Sequence, residues 1–331
     1  MNSKKWTVIV IAIILIVATS LSSIGVPSLE EENYSRNFLA MLGRPVEVIE
    51  EEGSSAERIL KINVEGAIDG SEAAGGYSQE ATLYAVEQIK EDPSIQAVLL
   101  SLDTPGGTVY EIREVYDLMM DVKEETGIPV YASMGSMAAS GGVYYAMMAD
   151  EVYASPESWT GSIGVILSTL NMEGLLDKVG LEERVFKTGE FKDIGSATRE
   201  VTEEEEEIFQ SLIDDSFDRF IQVVMDGRDM DEKAVREIAD GRIFTAEQAQ
   251  EINLIDDILY EGEVIEKMKA DLGLDNPQIF YFEKQSSSFT SFLPFMDAAF
   301  INRLGKSELE KTMDEIEELS EIQVEYRWEG Y

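Results

Sequence analysis

Three short segments of this 331-residue chain combine residue types that could do chemistry. Asp103-Thr104-Pro105-Gly106-Gly107 follows an apolar run, and its glycines offer side-chain-free N–H groups able to hold a developing oxyanion. Taken alone it is equally an ordinary strand-to-helix turn. Met134-Gly135-Ser136-Met137-Ala138-Ala139-Ser140-Gly141-Gly142 places serines among small residues where a strand gives way to a helix. A serine there presents its hydroxyl beside free helix-start N–H groups, which favour negative charge, although small residues also serve tight helix packing. Lys187-Thr188-Gly189-Glu190-Phe191-Lys192-Asp193 closes the strand-like Arg184-Val185-Phe186 and supplies amines. A lysine by itself is most often a solvated surface residue.

The composition decides which chemistries remain open. There is no histidine and no cysteine. An imidazole base, a thiol nucleophile, a disulfide framework and the common zinc and iron–sulfur ligand sets are therefore excluded. In a chain without histidine, a lysine is the natural partner for a serine, provided its amine is neutral enough to accept a proton. With 66 acidic against 26 basic residues the formal net charge is −40, which argues against nucleic acid or an anionic membrane surface as an electrostatic partner. Hydrophobic residues make up 44% of the chain, enough for an ordered core.

The elements that must position these segments read as alternating strands and helices. Strands are expected at Ile59–Val64, Ala97–Leu102, Pro129–Met134 and Glu151–Ala154. Helices are expected at Gln79–Lys90, Val109–Thr126 and Ser140–Met148. Such alternation implies βαβ units and a mostly parallel sheet, with function at the carboxyl ends of its strands. Thr202-Glu203-Glu204-Glu205 is a capping box that opens a long helix to about Met225, with Ile208, Leu212, Ile213, Phe217, Phe220, Ile221 and Val224 on one face. Shorter helices follow near Asp231–Ala239 and Ala246–Glu251.

At the amino end, Lys4 and Lys5 precede an uncharged stretch from Trp6 to Ser28, and Glu30-Glu31-Glu32 follows it. The length suits one transmembrane helix, favouring an uncleaved anchor over a removed secretory signal. The charge asymmetry predicts a cytoplasmic amino end and an extracytoplasmic bulk.

Taken together, the three segments, Thr160-Gly161-Ser162-Ile163-Gly164-Val165 and Asp240-Gly241-Arg242-Ile243-Phe244-Thr245 resemble the signal peptide peptidase A family of serine proteases, peptidase family S49. The resemblance runs from about Ile59 to Leu272, and departs from the family in the first block, where Asp-Thr replaces the more frequent Asn-Ser. It implies an α/β fold of crotonase or caseinolytic-protease type and a Ser/Lys dyad that needs no cofactor and no metal. Carried over by position, Ser140 would be the nucleophile and Lys192, 52 residues further on, the general base. Gly107 and Gly141 would donate backbone N–H groups to the oxyanion, and Ser162 would orient the lysine amine. The implied organisation is a cytoplasmic tip and anchor (1–28), an acidic linker (29–58), the protease domain (59–272) and a carboxyl extension (273–331). Remnant signal peptides and other short hydrophobic or unfolded peptides are the implied substrates. A homo-oligomeric ring or dome, octameric in members of this length, is the implied assembly, with dyads completed across subunits.

A non-proteolytic membrane scaffold, or an acyl-CoA enzyme on the same fold, is the alternative. Glu190 and Asp193 flank Lys192, and nearby negative charge favours a protonated amine. Local burial must then win, with both carboxylates turned away. Activity is accordingly expected to rise towards alkaline pH and with added salt. The apolar end, Val324–Tyr331, has the pattern of a segment that docks in the substrate groove or on a neighbouring subunit.

Overall fold

A strand that reads as an almost unbroken apolar run needs cover on both faces, and Ile95–Thr104 (β3) has it. In the computed structural model, which describes residues 44–70 and 76–284, this strand lies centrally in a nine-stranded sheet. Its neighbours are Ser54–Glu65 (β2) and Val130–Ala139 (β4), both parallel to it. Beyond β4 come Glu151–Ala154 (β5) and the short Asp257–Ile258 (β8). On the other side, Pro277–Glu283 (β9) lies between β2 and Val46–Glu51 (β1). The sheet thus recruits strands from both segments flanking the expected protease domain, in one compact unit over Glu47–Glu283.

Register follows from period-2 alternation. Ile62 pairs with Leu100 and Leu100 with Ala132, and the next row joins Val64, Leu102, Met134 and Ala154. These side chains enter the larger core, roofed by helices Gln79–Glu91 (α1), Val109–Thr126 (α2) and Gly141–Ala146 (α3). The intervening Ile59, Ala97 and Leu99 face the opposite way, onto Val264, Ile265 and Met268 of Glu261–Leu272 (α8).

Several expected boundaries are met within a residue or two. α2 spans the expected Val109–Thr126, stopped by Gly127 in a left-handed conformation (φ 67°). The capping box at Thr202 forms, and its helix Glu203–Arg228 (α5) runs three residues beyond Met225. Glu232–Ile238 (α6) and Ala246–Glu251 (α7) follow.

Two readings are corrected. β4 continues five residues past Met134 because its second half changes partners. Met137, Ala138 and Ala139 pair with Trp159–Gly161 (β6), which pairs antiparallel with Ile243–Thr245 (β7). Arg184-Val185-Phe186 is not a strand: it is exposed irregular chain, with Phe186 94% exposed. Nothing in its period distinguishes it from a strand, but no sheet edge pairs with it. It belongs to a long excursion between β6 and α5 whose one helix is Glu173–Val179 (α4).

No helix among the described residues is long and apolar enough to cross a membrane. The expected anchor at 6–28 and the apolar end at 324–331 lie outside the described residues.

Candidate active site

The carboxyl ends of β3, β4 and β6 converge where such sheets carry function. At the end of β4, Ser140 sits between strand and helix with φ 52° and ψ −109°. A non-glycine residue rarely adopts positive φ, and here the surroundings enforce it. The Ser140 N–H donates to the Gly161 carbonyl (2.8 Å), and its own carbonyl accepts from Tyr144 N–H (3.0 Å). Both sides of the turn are therefore fixed while the side chain stays half-buried. The helix it introduces, α3, is wholly buried and braced by a hydrogen bond between the Tyr145 and Tyr77 hydroxyls (3.1 Å).

Glycines let a second backbone approach that serine. A methyl group on Gly106 would lie 2.7 Å from the Gly141 nitrogen and 2.9 Å from Ser140 Cβ. Gly106 holds φ 97°, and its N–H donates to Thr104 Oγ1 (3.0 Å). Gly107 is crossed on its other side by the chain leaving β2. Ile68 N–H donates to the Gly106 carbonyl (2.9 Å), and Thr108 N–H donates to the Ile68 carbonyl (2.8 Å). In such a parallel bridge the flanking residues make the bonds, so the Gly107 N–H points away from Ile68. Gly141 lies in the first turn of α3, where an N–H has no carbonyl of its own helix to bond. The Pro-Gly-Gly and Ser-Gly-Gly blocks thus lie against one another.

Asp103, in the block that departs from the family pattern, joins two strands. Its carboxylate accepts from Ser136 Oγ (2.7 Å) and from Met137 N–H (3.2 Å), bridging β3 to β4 where their register shifts. Its partners are 33 and 34 residues away and leave no local signal in the sequence.

The third block packs beside the first two. Gly161 (φ 88°) and Ser162 (φ 50°) turn the chain sharply out of β6, and Ser162 N–H donates to the Arg242 carbonyl (2.7 Å). Buried Thr160 donates its hydroxyl to the Ala138 carbonyl (2.7 Å). Antiparallel pairing of Thr160 with Phe244 brings the Asp240–Thr245 stretch beside the serine block.

Lys192 is placed differently. It lies in a turn of the excursion before α5 and is exposed, where the general-base reading expects burial. The excursion around it is also uncovered: Ile166, Leu170, Leu175, Leu181 and Phe186 are each more than half exposed. The N-terminal half of α5 shares this, with Leu212 56% exposed, whereas Phe220, Ile221 and Val224 are buried. Asp193 is not simply turned away. Lys187 and Arg199 hold its carboxylate (2.6 and 2.9 Å), and hydrogen bonding by Arg199, then Lys187, keeps its protonation well below the usual carboxylate range.

A serine held in a strained strand-to-helix turn, with glycine amides from a second element against it, is the arrangement of an α/β serine hydrolase. Comparison with known proteins narrows this. Residues 122–275 match the model of Peptidase family S49. An Enterococcus faecium protein that carries the name signal peptide peptidase SppA is 33% identical over 303 residues, 88% of either chain. A Synechocystis protein named as a protease is 41% identical over 68% of this chain and 78% of its own. The chloroplastic serine protease SPPA of Arabidopsis thaliana is 30% identical over 59% of this chain and 29% of the plant protein. The chain belongs to the SppA family of S49 peptidases and is a serine protease.

Proposed function

We propose that the chain is a membrane-anchored endopeptidase whose nucleophile is Ser140 and whose general base is Lys192. The observation that carries this reading is the Ser140 turn, with positive φ fixed from both sides beside Gly106, Gly107 and Gly141. Lys192 takes the Ser140 hydroxyl proton as the oxygen attacks the scissile carbonyl. The tetrahedral oxyanion is held by the Gly107 and Gly141 amides. The protonated amine then gives its proton to the leaving nitrogen, and water hydrolyses the acyl-enzyme. Ser162, at the exit of β6, orients the amine.

A lysine exposed in its own chain is not desolvated there. The apolar excursion that carries Lys192 supports assembly, because a second copy covering it would bury both. The chain accordingly works as a homo-oligomer whose Ser140 meets a neighbouring copy's Lys192, on a crotonase-like framework. Residues 6–28 tether it to the membrane, with the catalytic unit on the extracytoplasmic side. The name of the Enterococcus relative points to cleaved signal peptides as substrates, along with other short hydrophobic segments.

Covalent capture tests the nucleophile. A fluorophosphonate should add one mass increment, located on the peptide containing Ser140 and absent in Ser140→Ala. Labelling at another serine would overturn the assignment, and no labelling at all would favour a non-proteolytic scaffold.

A further inference from the structure

The residues around Lys192 form a closed network of charges. Lys187 Nζ donates to the Glu190 carbonyl (2.6 Å) and to Asp193 Oδ1 (2.6 Å), so it staples the loop on both sides of Lys192. Arg199 grips Asp193 through Nη2, both at the carboxylate (2.9 Å) and at the backbone carbonyl (3.1 Å). The same guanidinium donates to both oxygens of Glu205, at 2.7 and 2.5 Å, and to the Glu200 carbonyl (3.0 Å). Glu205 is buried and is the capping-box residue of α5, accepting from Thr202 N–H (3.0 Å). The loop is thereby tied through Asp193 and Arg199 to the start of a 26-residue helix.

We propose that Arg199 and Lys187 are positioning residues of the protease, forming a charge-balanced clamp that fixes the Lys192 loop and cancels its acidic neighbours. The proposal rests on Lys192 being the base. Two cations face two carboxylates, so the clamp is neutral within a molecule of charge −40. Other charged groups nearby are Glu190 and Glu200 in the loop, Glu183, which accepts from Thr198, and Glu203, Glu204 and Glu206 on the first turn of α5. All are acidic, and the clamp, neutral in itself, keeps Asp193 and Glu205 from adding to their charge. Hydrogen bonding by Arg199, then by the Thr202 backbone, lowers Glu205 to about 2, and Asp193 is lowered also. Carboxylates lowered in this way lose their stabilising contribution only as the solution is acidified towards those values, so the clamp stays ionised wherever an amine could act as base.

Removing Arg199 leaves one cation against two carboxylates. The added negative charge favours protonated Lys192 and also slackens the loop. Steady-state hydrolysis of a fluorogenic peptide by the full-length assembly, measured across pH, reads both effects. Arg199→Gln should lower kcat about tenfold with KM little changed, and move the rising limb of activity alkaline by about half a pH unit. Arg199→Lys should restore the position of that limb. If Arg199→Gln does not assemble, Lys187→Gln removes the exposed half of the clamp and should shift the limb in the same direction. A lower kcat with an unmoved limb in either glutamine variant would make the network merely structural and overturn the proposal. Lys192→Ala, run alongside, separates this failure from that of the dyad itself, because hydrolysis surviving in that variant removes the base and not the clamp.

Discussion

Lys192→Ala is expected to reduce peptide hydrolysis by about two to four orders of magnitude without changing the fold, the range that loss of a general base produces. The side chain is exposed and lies outside both cores, so truncation creates no cavity. Ser140→Ala should cost at least as much, since residues that act as a unit do not lose activity additively. The double variant should be no worse than Ser140→Ala alone. Rates on casein or a fluorogenic peptide, with circular dichroism to verify the fold, provide the check. Hydrolysis at wild-type rate by Lys192→Ala would remove the lysine from the mechanism.

Gly107→Ala should be damaging for a different reason. A methyl group there would stand 1.8 Å from the Ile68 carbonyl oxygen and 2.4 Å from its carbon. Both are backbone atoms of a buried residue, and they cannot yield as the tip of a flexible side chain can. The Ile68 crossing must move, breaking the bonds that orient the Gly107 N–H. We expect a fall in kcat of about a hundredfold or more, the usual effect of losing one oxyanion donor, together with a lower Tm. Gly262 in α8 provides the control, because nothing lies within 4 Å of a methyl group there and alanine favours the helix. Gly262→Ala should leave the rate nearly unchanged and the Tm unchanged or slightly raised. A Gly107→Ala protein with wild-type kcat would show that this amide does not face the reacting carbonyl.

The parts of the molecule governed by local rules were legible in the sequence. α2 is bounded by an apolar period and a terminal glycine, and Thr202 with Glu205 announces the start of α5. The unbroken apolar run of β3 reads directly as a buried strand because each of its faces meets its own core. What escaped depends on distant partners. β4 runs past Met134 because β6, some twenty residues later, replaces β5 as its neighbour. The Ile68 crossing over Gly107 and the Asp103 bridge to Ser136 have no periodic signature. Arg184-Val185-Phe186 shows the reverse failure, a strand-like pattern with no strand beside it to complete it. Its apolar side chains instead face outward with the rest of the excursion, in keeping with cover by another copy. Of the five site residues, Ser140, Gly107, Gly141 and Ser162 come from blocks that strand ends bring together, whereas Lys192 sits on irregular chain whose placement no period encodes.

The central claim is a Ser140–Lys192 site completed between copies, and subunit mixing tests it most directly. Ser140→Ala and Lys192→Ala chains, each inactive alone, are co-assembled in equal amounts and assayed on a fluorogenic peptide. If each site takes its serine from one copy and its lysine from the next, random mixing restores about a quarter of wild-type activity. Mixed assemblies as inactive as either parent, at wild-type size, would contradict the account and place the whole site within one chain.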